Sequence, residues 1–362
     1  MKIIFFTPHP FEDPSSRLRV YQYLEEFERK NIEFDIWSFT NEKLFKTLMM
    51  RTPISISTIV KSLFCYIKRL ISIIPASKYD IAFIHRELSP FWERIPNILL
   101  KKLAKKVIYD FDDAVFTIPT QVKKSHLKFR GKGSSEFWCK NADAVIAGNK
   151  YLENYAAKFS AKTYLIPTAI DTERYSSIAS VKKSKDKDDK ITLGWIGTPD
   201  NFFYIKIIED VLERLQVKYG FTFIVIGNSR GELKGCEIEK FDWSYEKELE
   251  YLSLFDIGIY PIRDDEYARG KSGYKAIQYM ASGIPCIASR IEANLDIIED
   301  GDNGFLASNP VEWEKKLQML ILKPELREKF RINGLKTVNE KYSKKDTMEK
   351  LYKIFEEIHM LG

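Results

Sequence analysis

The densest gathering of chemically capable residues in this chain runs from Tyr260 to Ser289, YPIRDDEYARGKSGYKAIQYMASGIPCIAS. Arg263, Arg269, Lys271 and Lys275 surround Gly273, from which the spacing turns helical, with Ala276, Ile277, Met280 and Ala281 on one side. The apolar run from Asp256 to Pro261 reads as a buried strand before this loop, and Gly283 and Pro285 stop the helix before the next strand begins. A strand, a basic glycine loop and a helix start form an anion site, because backbone N–H groups and the helix dipole point at the same place. The anion expected here is a nucleotide diphosphate, held by Lys271, Ser272, Gly273, Tyr274 and Lys275. The alternative for the two lysines is a solvated helix start.

Other candidates stand where apolar runs end. His85 closes the run from Tyr79, and Asp112 and Asp113 follow the run Val107–Asp110. A carboxylate there either caps the next helix or faces a reacting centre. A histidine at a strand end serves the site or the structure. Arg17 and Arg19 stand at the first helix, where one binds an acceptor phosphate and the other lies on the surface. Gly197 and Thr198 open the loop after the run Ile191–Ile196. Arg230 follows the run Phe221–Ile226, and Arg263 the run ending at Tyr260; both either reach the ligand or sit on exposed loops. Trp243 packs either near a nucleobase or in the core.

These positions need parallel sheets to bring them to one edge, and the chain alternates accordingly. Lys2–Thr7, Phe34–Phe39, Tyr79–His85, Val107–Asp110, Ala144–Ala147 and Thr163–Ile166 read as strands of a first sheet. A helix is expected from about Arg19 to Lys30, with Tyr23, Leu24 and Phe27 inward. Ser176–Lys190, SSIASVKKSKDKDDK, has little that enters a core and reads as a linker. Ile191–Ile196, Phe221–Ile226, Asp256–Tyr260, the run after Pro285 and Gly304–Ala307 form a second sheet. The fold class is therefore α/β, with two doubly wound, Rossmann-like domains facing a central cleft. Residues 1–175 form the acceptor-side domain, 176–190 the linker, 191–345 the nucleotide-binding domain, and 346–362 a helix packing back on the first domain.

At 362 residues the chain is long enough for two cores, and 44% hydrophobic with 30% charged residues is a globular composition. No apolar run approaches the roughly 20 residues that span a bilayer. Met1–Pro8 reads as the first strand and not as a secretory signal, so a cytoplasmic protein is expected. Its four cysteines lack disulfide or metal spacing. A net charge of +6 suits anionic ligands better than dedicated nucleic-acid binding. Lys43–Ile74 alternates basic and apolar residues; it either lies on an anionic membrane surface or packs as helices with a solvated basic face.

Landmarks in order sharpen this reading. Ala142-Asp-Ala-Val-Ile-Ala147, Ile166-Pro-Thr-Ala-Ile-Asp-Thr-Glu-Arg174, Ile191–Gly197 and Ala276–Ser289 together resemble the nucleotide-sugar-dependent glycosyltransferases of GT-B fold, family 4. The resemblance covers nearly the whole chain. It implies transfer of a sugar from a nucleotide diphosphate donor to an acceptor bound mainly by the N-terminal domain, with retention and without a metal or other cofactor. Two departures stand out. Aligned on Tyr279-Met-Ala281, the two family glutamates fall on Gly270 and Gln278, of which only Gln278 can still hydrogen-bond a diol. The family's Arg and Lys pair after Ile196 is replaced by Gly197–Asn201, so that Lys271 and Lys275 supply the charge that stabilises the leaving diphosphate. Many members also carry a histidine where this chain has Asp112.

The expected function is a glycosyltransferase acting on a glycan or lipid-linked acceptor in surface polysaccharide or glycoconjugate assembly, with peripheral attachment to the inner face of a membrane as the Lys43–Ile74 option. The alternatives are a nucleotide-sugar epimerase on the same plan and a non-catalytic binding subunit, the latter raised by Gly270. Donor sugar, base, acceptor and oligomeric state are left open by the sequence.

Overall fold

Apolar runs bounded by polar loops become twelve strands among the described residues, in two all-parallel sheets. The computed structural model describes residues 1–49, 55–117, 133–181, 190–227 and 230–361. Its first unit comprises Met1–Ala169, Gly270–Ser272 and Lys344–Gly362; its second comprises Ile170–Arg269 and Gly273–Ser343.

The first unit holds β1 (Lys2–Thr7), β2 (Glu33–Ser38), β3 (Ile81–His85), β4 (Val107–Phe111), β5 (Ala144–Ala147) and β6 (Thr163–Leu165), in the order β2-β1-β3-β4-β5-β6. That order puts the carboxyl ends of β1, β3 and β4 side by side, with Phe5 opposite Phe83 and His85 opposite Asp110. Strands covered on both faces read as unbroken apolar runs. One cover is the helix Lys344–Met360, which buries Met348, Leu351, Ile354, Phe355 and Ile358 in the same cluster as Phe5, Phe27 and Phe83. The ring centroids of Phe83 and Phe355 are 5.9 Å apart.

The second unit holds β7 (Thr192–Ile196), β8 (Thr222–Ile226), β9 (Glu239–Phe241), β10 (Ile257–Tyr260), β11 (Cys286–Ser289) and β12 (Phe305–Ala307), in the order β12-β11-β10-β7-β8-β9. Its two faces carry separate cores: Leu193, Trp195 and Val225 on one, Ile196, Ile224 and Tyr260 on the other.

Three sequence expectations are corrected. The first helix begins at Pro14, not Arg19: Asp13 accepts from the Ser16 N–H at 2.8 Å, Pro14 takes the first turn, and a 3-10 turn over Tyr21–Tyr23 separates Pro14–Arg19 from Leu24–Arg29. The segment assigned to a linker from Ser176 is helical through Val181, as part of Thr172–Val181, because Ile178 and Ala179 are buried among the serines. Linker residues 182–189 lie outside the described residues. The loop that Gly197 and Thr198 open is already a 3-10 segment from Pro199 to Ile208, and it turns α-helical over Glu209–Tyr219.

Candidate functional site

In the first unit, the carboxyl ends of three neighbouring strands assemble a chain of polar groups. Capping by Asp13 fixes the helix Pro14–Arg19 so that Ser15 Oγ lies 2.9 Å from His85 Nε2 and donates to Asp112 Oδ2 at 2.7 Å. His85 Nδ1 lies 2.8 Å from Asp110 Oδ2. Asp110 in turn is ion-paired with Arg19, whose Nη1 donates to the Ile166 carbonyl at 2.8 Å. On the other side, Arg86 Nε stands 3.1 Å from Asp112 Oδ1 and Nη2 meets Asp113. Arg86 reaches both carboxylates from a left-handed backbone at φ 61°, an uncommon conformation for a side-chain-bearing residue.

Electrostatics hold this cluster ionised. Burial raises the Asp112 pKa, but Arg86 above all, with His85, Arg19 and the Ser15 hydroxyl, overcomes that and holds it down to about 2. Burial likewise opposes ionisation of Asp110, and Arg19 with the His85 hydrogen bond reverses it. With both carboxylates ionised they only accept, and the single Ser15 hydrogen goes to Asp112. Both His85 ring nitrogens must then carry hydrogen for every bond to be made. His85 is 0% exposed and Asp112 5%, whereas Ser15 is half-buried, so its hydroxyl is the accessible end of the relay.

His85, Asp112 and Asp113, all expected at the reacting centre, are thus brought together, with His85 acting only through Ser15. Arg19 and Arg17, expected to include an acceptor-phosphate ligand and a surface residue, are both buried. Arg19 is committed to Asp110, and Arg17 donates to the Phe11 carbonyl at 3.1 Å, bracing its own loop. Ser15, Asp110 and Arg86 were given no role from the sequence. Their signal lies in sheet order, since β1, β3 and β4 must be known to be adjacent before residues 15, 86 and 110 become neighbours.

In the second unit, Gly273 caps the helix Tyr274–Ala281 at φ 63°, and a Cβ there would lie 2.3 Å from Ile297 Cδ1. The first turn carries Lys275, whose Nζ sits 5.1 Å from the Tyr260 ring centroid and 5.8 Å from that of Trp195. Gly197 lies beneath it: an added Cβ would be 2.9 Å from Lys275 Cε. Gly227 is folded against the Gly197 carbonyl, which a Cβ would approach to 2.2 Å, with Trp243 alongside. Gly197, at the end of β7, therefore leaves room for Lys275 at the helix start, where a cation and backbone N–H groups together suit an anion. Thr198 Oγ1 accepts from Asn201 at 2.9 Å.

A second buried hub lies behind this helix. Trp243 Nε1 donates to Glu248 Oε2 at 2.7 Å, while Arg174 and the Tyr175 hydroxyl reach Glu248 Oε1 at 3.0 and 2.6 Å. Gln278 Nε2 donates to the Tyr175 hydroxyl at 3.0 Å, so Gln278, expected at a ribose diol, is buried in this hub. Trp243 is tied into it as well. Arg263 is exposed after β10, and Arg230 is exposed next to residues 228–229, which lie outside the described residues.

Gly270, Lys271 and Ser272 belong to the first unit. The Lys271 carbonyl accepts from Asn149 Nδ2 at 2.8 Å. A Cβ on Gly270 would lie 2.5 Å from the Ala114 Cβ, so this position has no room for a carboxylate side chain. Among the described residues no group of three or more His, Cys, Asp or Glu is placed to hold a metal ion, and no helix is long and apolar enough to cross a membrane.

Residues 191–323 match the family model described as Glycosyl transferases group 1. An uncharacterised glycosyltransferase of Methanocaldococcus jannaschii is 24% identical over 276 residues, 70% of this chain and 69% of the relative. An uncharacterised 41.2 kDa protein in the cps region of Klebsiella pneumoniae is 26% identical over 278 residues, 73% of this chain and 74% of the relative. Among solved structures, sucrose-phosphate synthase from Thermosynechococcus elongatus superposes with a TM-score of 0.71 at 14% identity, over 100% of both chains. Anabaena HepE, in complex with UDP and glucose, gives 0.70 at 14% identity over 99% of this chain and 100% of that one. The structural likenesses show a GT-B fold, and residues 191–323 carry the glycosyltransferase signature of the matched family model.

Proposed function

We propose that the protein transfers a sugar from a nucleoside diphosphate donor to a glycan or lipid-linked acceptor, with retention at the anomeric carbon and with no resident metal or cofactor. The observation that carries this reading is Lys275 at the start of the helix Tyr274–Ala281, above Gly197. As the glycosidic bond to the diphosphate lengthens, negative charge grows on the leaving oxygen and positive charge on the sugar. The Lys275 ammonium and the helix dipole neutralise the first, with Lys271 as a second cation. The Ser15 hydroxyl, backed by Asp112 and His85, offers a hydrogen-bonding group for the acceptor side. UDP-sugars are the donors to test first, since the structurally similar HepE is a UDP-glucose complex. The relative in a cps region favours a role in surface polysaccharide assembly, and association with a membrane face completes the reading.

Calorimetric titration with UDP and UDP-glucose tests it, with Lys275→Ala expected to lower donor turnover roughly 100- to 1,000-fold. Unchanged turnover in that variant would remove Lys275 from the mechanism. A second reading, a donor-binding subunit without turnover, is favoured by Gly270 packed against Ala114 in place of a carboxylate. Donor binding without sugar release, with or without an acceptor, would select it.

A further inference from the structure

The helix Ile56–Ile73 is inverted. Its buried side carries Thr58, Cys65, Tyr66, Arg69 and Ser72, with Ile73 the aliphatic exception. Arg69 is only 2% exposed and donates to the carbonyls of Leu88, Trp37 and Thr7 at 2.8, 2.7 and 2.7 Å. A helix docked on a water-soluble domain buries its apolar stripe and shows its polar face; this one buries a mixed face, in which Cys65 and Tyr66 join a small core beside Arg69, Thr58 and Ser72, and shows its most apolar one. Ile56, Val60, Leu63, Phe64, Ile67 and Ile71 all point outward, Ile56 at 81% and Phe64 at 67% exposure. At 3.6 residues per turn they occupy roughly a third of the circumference over about 22 Å of helix, a continuous apolar face well beyond scattered surface hydrophobes.

The surroundings say what covers it. Lys61 and Lys68 are exposed along one margin of the stripe, Lys68 with its Nζ 5.7 Å from the Trp37 ring centroid, and long cationic side chains of this kind can cover apolar surface while keeping the charge at its edge. The helix Arg94–Leu103, which packs beside it, exposes Arg94, Lys101 and Lys102, and neither helix contains an Asp or Glu. Trp92, exposed and in edge contact with Tyr66, and Ile95 add an aromatic and an aliphatic group to the same region. An apolar face whose two helices carry cations and no carboxylate, with tryptophan at its border, complements an anionic bilayer: acyl chains take the stripe and phosphates take the rim. The helix is not apolar enough to cross a membrane, so it lies in the interface.

We propose that Ile56–Ile73 is the membrane-docking face of the protein, inserting its outward stripe at the surface of an anionic bilayer with Lys61 and Lys68 at the headgroups. This rests on and deepens the surface association proposed above, and it joins the two options for Lys43–Ile74: the helix packs on the first unit through its buried side and meets lipid through its exposed apolar one.

The full-length protein is sedimented at low salt with phosphatidylcholine vesicles, with and without about a third phosphatidylglycerol. The wild type is expected to bind the anionic vesicles at least about tenfold more tightly than the neutral ones, and Phe64→Ser with Ile67→Ser to lose at least about tenfold of that binding. Lys61→Glu with Lys68→Glu is expected to abolish the preference for anionic lipid. All four positions are exposed, and retained UDP binding and an unchanged melting temperature verify the fold. Failure of the wild type to bind anionic vesicles, equal binding to both, or binding indifferent to the Phe64 and Ile67 changes would overturn the proposal. So would a concentration-dependent dimer that those changes convert to monomer without any vesicle binding. Vesicle binding is read without donor or acceptor, so its failure leaves the glycosyltransferase reading standing, and absence of donor binding leaves this one standing.

Discussion

Asp112 gives the sharpest quantitative test of the first-unit site. Its pKa is held at about 2 against an ordinary value of 3.8, chiefly because Arg86 outweighs the cost of burial. A carboxylate whose folded pKa is depressed contributes stability above its unfolded pKa and loses it as pH falls toward the folded value. The shift corresponds to about 2 kcal/mol, present in full above about pH 5 and reduced by about half at pH 3. Asp112→Asn removes the titration while keeping shape and an acceptor for Ser15. Amide hydrogen exchange at Ile84 and Tyr109, in the strands on which the cluster sits, reads the local opening free energy in the intact chain. Between pH 6 and pH 3 the wild type is expected to lose roughly five- to tenfold more protection there than Asp112→Asn, after correction for intrinsic exchange. Equal losses in the two proteins would mean that Asp112 is not held ionised by the cluster, and the electrostatic account of the site would fall.

The remaining expectations probe the rest of the architecture. Asp110→Asn leaves Arg19 buried without its counter-charge and is expected to cost about 3–5 kcal/mol in the first unit, or roughly 6–20 °C in its melting temperature; adding Arg19→Met should restore most of it. Gly273→Ala forces a side chain into a left-handed backbone and onto Ile297, so calorimetry should show UDP binding weakened by about tenfold or more, with a few kcal/mol of destabilisation. Truncation after Ser343 uncovers the face that Leu351, Ile354, Phe355 and Ile358 bury at about 1.5–3 kcal/mol each, and should abolish the first unit's cooperative thermal transition while the second unit's remains.

Much of the fold was legible because strands buried on both faces are apolar without interruption, as in Ile3–Phe6 and Val225–Ile226. What escaped was short or compositionally disguised. β9 is three residues, Glu239-Lys-Phe, at a sheet edge where charge is tolerated, so it carries no apolar run to detect. The Asp13-Pro14 pair is a helix-start signal, but the polar residues after it look like loop. Ser176–Val181 looks like linker until Ile178 is seen to be buried. At the candidate site, Lys275 and Gly273 were readable because a cation beside a glycine at a helix start has a local meaning. The Arg19–Asp110 pair spans 91 residues and has none; a single arginine on a helix face looks the same whether it meets solvent or a carboxylate from another strand.

The charges of the first-unit cluster make its design intelligible. Arg19, Arg86 and the His85 ring face Asp110, Asp112 and Asp113 in one polar set. Buried charges are tolerated when paired and hydrogen-bonded, and the ion pairs of Arg19 with Asp110 and of Arg86 with Asp112 and Asp113 meet most of that need, Arg86 Nε and Asp112 Oδ1 facing each other at 3.1 Å as an ion pair and not as a hydrogen bond. The cluster is therefore organised before any acceptor arrives, and its orientation does not have to be induced by binding. Ser15 is where this rigidity reaches solvent. Its hydrogen is committed to Asp112, and a hydrogen from His85 occupies one of its two lone pairs, so the remaining lone pair is what it offers outward. A hydroxyl group meeting Ser15 would consequently donate to it.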